Sequence, residues 1–327
     1  MVMPKQVIIE ATSRCNLQCK YCPSICGEGY PQGDMSFEFF KSIVDRIDFD
    51  TTVIPWMNGE PFLNPEYLKF VQYLNEKKQR FYVTTNLTVF REDVIIELLK
   101  EGSSCYQLIV SMDGMFGLGN IAKARPGTDE KQLRANIKRL LYLKNLFSSK
   151  TKIAFKICER GQDWSEIERY IQFWLACSDL DYVCVGKPLK DTNDETMRTS
   201  PCQYADHNFM VIRWDGKLVV CAYNDEAANN GKLSYGTVTR DNNLLELYNN
   251  EKIAGFRASQ NDGFYPEPCD KCAFAYTGLG FQGQVEFRDN PNTVYYFHQD
   301  YYNSFFSKKK EWKPNSYYGG VDPPKEA

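Results

Sequence analysis

Cys15, Cys19 and Cys22 stand in the run Cys-Asn-Leu-Gln-Cys-Lys-Tyr-Cys, directly after an apolar, strand-like segment at residues 6–11. Soft thiolates spaced in this way on one short loop select an iron–sulfur cluster or zinc. Three protein ligands on a four-iron cluster leave one iron open, where a substrate or cofactor can chelate. That separates a cluster doing chemistry from one that only carries electrons. A zinc site wants a fourth ligand, and Cys26 is near enough in sequence to supply it.

A second set follows far downstream. Cys202, Cys221 and the pair Cys269 and Cys272, with Gly216 between the first two, supply four further thiolates, a complete ligand set for structural zinc or for a closed cluster with a redox role. Of the remaining cysteines, Cys105 and Cys184 sit in apolar runs and read as small buried side chains; Cys26, Cys158 and Cys177 are left over. His207 and His298 are the only histidines, which disfavours a His-based triad or a three-His zinc site.

The elements that must position these residues show in the pattern up to about residue 187. Short apolar runs at 6–11, 52–56, 80–85, 106–112, 151–157 and 181–185 alternate with longer segments of helical period, which predicts repeated βα units and a parallel sheet. Leu133, Ile137, Leu140 and Leu141 mark one amphipathic helix, and Ile167, Tyr170, Ile171 and Trp174 another. Ligands of such sheets collect at the carboxyl edge of the strands. After residue 190 the pattern changes: runs at 208–213 and 217–221 flank Trp214-Asp215-Gly216, a hairpin signal, and a polar helix is expected over 243–257.

On these residues the chain resembles the radical S-adenosylmethionine (SAM) superfamily, whose signature is Cys-x3-Cys-x2-Cys after the first strand, with an aromatic before the last cysteine; Tyr21 fits. Asn58-Gly59-Glu60-Pro61 looks like the family's Gly-Gly-Glu-Pro segment, with Asn58 in place of the first Gly. Thr85-Asn86 matches the Thr-Asn segment after strand three, Ser111-Met112-Asp113-Gly114 the Ser-x-Asp-Gly after strand four, and Arg125-Pro-Gly a stretch common in members with an extra domain. The resemblance implies a partial (βα)6 barrel over 1–190, then a small α+β domain of the twitch or SPASM kind over 191–280 containing the hairpin. Residues 281–327 form an extension with no assigned role. It also implies two 4Fe-4S clusters: one on Cys15, Cys19 and Cys22, and one auxiliary on Cys202, Cys221, Cys269 and Cys272. SAM would be held by Tyr21, Gly59, Glu60, Pro61, Asn86, Ser111, Asp113 and Arg125. The auxiliary spacing is closest to that of the family's butirosin aminocyclitol dehydrogenase. The expected reaction is therefore oxidation of a carbinol in a small sugar-like molecule, with Lys187, Lys190 or Arg198 taking the proton and a flavodoxin- or ferredoxin-type protein as reductant.

Two rival functions stand beside it. One is maturation of a ribosomal peptide, disfavoured because strand one begins at residue 6, without room for a leader-binding extension; the other is a non-catalytic iron–sulfur or zinc scaffold. A charge balance of 39 basic against 42 acidic residues gives a net charge of -3 with no broad basic patch, so nucleic acid is not an expected partner. No apolar stretch approaches the roughly 18 residues of a membrane span. The N-terminus lacks signal-peptide features, and the cytoplasm is the expected compartment.

Overall fold

Strands such as Gln6–Ile9 and Phe81–Thr85 are buried along their whole length, as strands covered on both faces of a parallel sheet must be. The computed structural model describes residues 3–19, 22, 31–117, 120–158, 164–176, 179–186, 209–221, 233–267, 269–270 and 293–297. Within them β1 (Gln6–Ile9), β2 (Thr52–Ile54), β3 (Phe81–Thr85), β4 (Cys105–Ser111), β5 (Lys152–Cys158) and β6 (Tyr182–Gly186) pair in parallel, each with the next. All six expected strands are present, within a residue or two of the expected bounds.

Amphipathic helices between the strands cover the outer face. Phe37–Val44 starts at Ser36, whose side chain accepts from the Phe39 N–H, and stacks Phe40 on Phe70 of helix Tyr67–Glu76 at 4.1 Å between ring centroids. Helix Glu130–Leu146 is capped by Asp129 and buries Leu133, Ile137, Leu140 and Leu141, the four residues of the sequence pattern. Trp174 of helix Trp164–Leu175 meets Phe155 of β5 edge-on at 4.7 Å, fixing which face of the sheet looks outward.

Beyond residue 208 the chain builds onto this sheet. Strand β7 (Phe209–Ile212) lies parallel to β1, with Ile9 opposite Ile212; β8 (Lys217–Val219) and β9 (Ser234–Thr237) follow antiparallel. The expected hairpin is therefore present, and it closes the otherwise unpaired edge of β1. The polar helix expected over 243–257 is two helices, Leu244–Tyr248 and Glu251–Asn261. The break falls at Asn249 and Asn250: the first amide donates back to the Leu245 carbonyl, and the second caps the new helix by accepting from the Ile253 N–H. In the C-terminal extension, β10 (Thr293–Phe297) pairs antiparallel with β6, completing a ten-stranded sheet among the described residues. Among those residues no helix is long and apolar enough to cross a membrane.

Candidate functional site

The end of β1 delivers the chain into the first cysteine loop. Cys15 and Cys22 are half-buried and Cys19 is buried; the Cys22 N–H donates to the Cys19 carbonyl at 3.0 Å, a tight turn that puts both thiols on one short arc. Burial pushes the Cys15 thiol up to about 11, with the Glu60 carboxylate and the Cys22 and Cys19 thiols adding to the shift. The three sulfurs are thus electrostatic neighbours, although among the described residues no three His, Cys, Asp or Glu side chains converge closely enough to form a metal site. Three neighbouring soft thiols suit a cluster whose positive irons offset the repulsion between thiolates. Tyr21 lies outside the described residues, as does Cys26.

Behind the loop, Glu60 is fully buried and fixed on both oxygens. The Thr85 hydroxyl donates to Oε1 at 2.6 Å and the Asn86 N–H to Oε2 at 2.7 Å. Burial raises its pKa to about 7 against the opposing pull of these hydrogen bonds. Gly59 makes this placement possible: its φ of +74° suits glycine, and a Cβ there would lie 2.5 Å from the Thr12 carbonyl oxygen and 2.7 Å from that of Arg14. Pro61 opens the short 3-10 turn Pro61–Leu63 that follows. Asn86 Nδ2 in turn reaches Cys15 Sγ at 3.9 Å and Asn16 Oδ1 at 3.1 Å. Ends of β1, β2 and β3 are therefore knitted into one edge.

The β4 end joins from the other side. Asp113 adopts a left-handed φ of +52° and is fully buried. One carboxylate oxygen accepts from the Cys158 N–H at 2.5 Å and the other pairs with Arg125 at 2.5 Å. The Arg125-Pro126-Gly127 segment lies against the cysteine loop: the Gln18 N–H donates to the Pro126 carbonyl at 3.0 Å, and a Cβ on Gly127 would come within 3.2 Å of the Asn16 carbonyl oxygen. Ser111 is half-buried at the tip of β4. Cys15, Cys19, Cys22, Gly59, Glu60, Pro61, Asn86, Ser111, Asp113 and Arg125 thus share the carboxyl edge of the sheet.

Of the second set, Cys221 and Cys269 are described. Tyr235 brings them into relation: its hydroxyl pKa is raised by burial first, then by the neighbouring Cys269 and Cys221 thiols. Cys202 and Cys272 lie outside the described residues, as do Lys187, Lys190 and Arg198. Cys105 and Cys184 are buried in strands β4 and β6, as expected of core side chains.

One feature of the edge escaped the sequence reading. The hairpin turn reaches across to the exit of the cysteine loop: Trp214 Nε1 donates to the Pro31 carbonyl at 3.2 Å, and the indole covers Gly33, where a Cβ would come within 2.3 Å of it. The Ser13 hydroxyl donates to the same carbonyl at 2.9 Å.

Comparison with known proteins agrees with this geometry. Residues 9–143 match the radical SAM superfamily profile, and residues 202–273 match SPASM, an iron–sulfur cluster-binding domain. The chain is 21% identical to the tungsten-containing aldehyde ferredoxin oxidoreductase cofactor-modifying protein of Pyrococcus furiosus, over 82% of this chain and 87% of that one. It is 32% identical to the antilisterial bacteriocin subtilosin biosynthesis protein AlbA of Bacillus subtilis, over 35% of this chain and 25% of that protein. Its fold is shared with Streptococcus suis SuiB bound to precursor peptide SuiA, with a TM-score of 0.60 at 14% identity over 78% of this chain and 67% of that one. Both domain matches fall on the two cysteine sets, and the chain belongs to the radical SAM superfamily, as a member carrying a SPASM iron–sulfur domain.

Proposed function

We propose that this chain abstracts a hydrogen atom from its substrate and carries out a net oxidation, most simply of a carbinol carbon in a small sugar-like or aminocyclitol-like molecule. When bound, the clusters and SAM supply one-electron reductive cleavage to a 5'-deoxyadenosyl radical and an acceptor for the second substrate electron. Cys15, Cys19 and Cys22 would hold the first 4Fe-4S cluster; Cys202, Cys221, Cys269 and Cys272 would hold the auxiliary one.

The observation that carries this reading is Glu60. A fully buried carboxylate, fixed by Thr85 and Asn86 directly behind the cysteine loop, is a ready acceptor for the amino group of SAM. Asp113 holds Arg125 in the same edge, where its guanidinium would meet the carboxylate of SAM. Four thiolates in the second set leave no open iron, which favours electron transfer over substrate chelation. Lys187, Lys190 and Arg198, just ahead of Cys202, are the proposed proton acceptors, and a flavodoxin- or ferredoxin-type protein the proposed reductant.

Peptide modification is the second reading, favoured by the sequence similarity to the subtilosin biosynthesis protein. Anaerobic incubation with dithionite, SAM and either myo-inositol or a peptide library tests both. Formation of 5'-deoxyadenosine with loss of two hydrogens from the cyclitol supports the first reading; the same loss from a peptide by crosslinking, or epimerisation of a peptide residue at unchanged mass, supports the second. No 5'-deoxyadenosine from cluster-loaded protein overturns both.

A further inference from the structure

Strand β9 carries one residue out of register. Leu218 lies opposite Gly236 and Val219 opposite Ser234, so Tyr235 between them has no partner on β8. A bulge of this kind bends the strand and re-aims a side chain. The backbone is held in that shape from outside: Asn250 Nδ2 donates to the Tyr235 carbonyl at 2.8 Å, and the same asparagine caps helix Glu251–Asn261. The Tyr235 ring packs against Phe256 of that helix, with 6.0 Å between ring centroids.

Both neighbours of the ring lead to cysteines of the second set. The Val220 N–H donates to the Leu233 carbonyl at 3.0 Å, so the pairing of β8 with β9 continues up to the residue before Cys221. At ordinary strand rise and spacing the Cα atoms of Tyr235 and Cys221 lie about 11 Å apart, a gap that a tyrosine and a cysteine-bound cluster span together. On the other side, helix Glu251–Asn261 is soon followed by Cys269, whose N–H donates to the Pro266 carbonyl at 2.7 Å. Tyr235 therefore stands between the strand that runs to Cys221 and the helix that leads to Cys269.

Its hydroxyl lacks a partner. Tyr235 is only 8% exposed, and among the described residues its hydroxyl makes no hydrogen bond. A buried tyrosine O–H ordinarily finds an acceptor, and one left without it costs about 1–3 kcal/mol. The nearest chemistry is sulfur, since the charges of both thiols are felt at this hydroxyl.

We propose that Tyr235 donates its O–H to a sulfur of the auxiliary cluster and thereby raises the reduction potential of that cluster. The inference rests on the reading above, in which Cys221 and Cys269 are ligands of the auxiliary cluster, and adds the residue that sets its redox poise. Tyr235 stabilises the extra negative charge that arrives when one electron leaves the substrate radical for the cluster, and keeps its own proton and electrons. It is a positioning residue for charge and not a ligand, because four thiolates already complete the set.

The test is a redox titration, followed by electron paramagnetic resonance, of anaerobic full-length protein with and without Tyr235→Phe. Both carry Cys15, Cys19 and Cys22 to Ala, so that only the auxiliary cluster is titrated. Loss of the hydrogen bond shifts the equilibrium about tenfold toward the oxidised cluster, about 59 mV downward for a one-electron couple. Tyr235→3-fluorotyrosine, a more acidic phenol and a stronger donor, moves the potential upward. An unchanged potential in Tyr235→Phe with its iron retained overturns the inference alone. Where Tyr235→Phe loses its iron, the fluorotyrosine variant decides, and an unchanged or lower potential overturns the inference. Absence of iron from the parent of the titration overturns the auxiliary-cluster reading and the inference together.

Discussion

The Thr85 hydroxyl donates to Glu60 Oε1 at 2.6 Å, tying the end of β3 to the residue that follows Gly59. This bond and the Asn86 N–H orient a carboxyl group whose burial would otherwise leave it free to turn. Because burial raises its pKa to about 7, two properties move in opposite directions across neutrality. The folded chain holds this proton more tightly than the unfolded chain, so the resulting stability is fully present below the ordinary value of 4.5 and is lost as pH rises through about 7. Ionisation over the same window creates the acceptor for SAM, whose affinity rises. Melting temperature from about pH 4.5 to pH 8 and SAM titration from about pH 6 to pH 8 check this, and Glu60→Gln flattens both profiles while weakening SAM binding roughly ten- to a hundredfold.

Gly59→Ala places a methyl group against two backbone oxygens that cannot move aside. Strain at its positive φ adds about 1–3 kcal/mol. The expected variant has a lower melting temperature and retains less iron than the parent, whereas Gly102→Ala, also at positive φ but in open space, retains its iron.

Asp113→Asn isolates the charge of the Asp113–Arg125 pair, since Asn tolerates the left-handed backbone and still accepts from Cys158. Breaking a buried pair on one side costs about 3–5 kcal/mol. Chemical denaturation should show that loss, and SAM binding should weaken as Arg125 loses its anchor.

Trp214 and Gly33 form a lock between the hairpin and the cysteine loop. Trp214 is partly buried, and Trp214→Ala is expected to cost about 1.5–3 kcal/mol. Gly33→Ala forces the indole away and also destabilises, but in the double variant the methyl group meets no ring, so the combined loss is smaller than the sum. A double-mutant cycle by denaturant unfolding checks this.

Legibility in the sequence follows the range of the interactions. Strands β1 to β6 were readable because they are short, largely apolar runs separated by segments of helical period, and Glu60, Asn86, Ser111 and Asp113 could be placed at the carboxyl edge because each ends or closely follows a strand. Pairing of β7 with β1 was not readable: nothing in Phe209–Ile212 names its partner, and the register of Ile9 with Ile212 is set across two hundred residues. Likewise Thr293–Phe297 is a plausible strand alone, but its place on β6 depends on an edge formed elsewhere. The helix break at Asn249 and Asn250 had a local signal, since paired asparagines both end and start helices.

The most direct test of the central claim is iron and sulfide per chain, with 5'-deoxyadenosine formation, in anaerobic parent protein and in the Cys15, Cys19 and Cys22 to Ala triple variant. Two clusters predict about eight irons in the parent, about four in the variant, and 5'-deoxyadenosine from the parent alone. Zinc in place of iron, or 5'-deoxyadenosine undiminished in the variant, would contradict it.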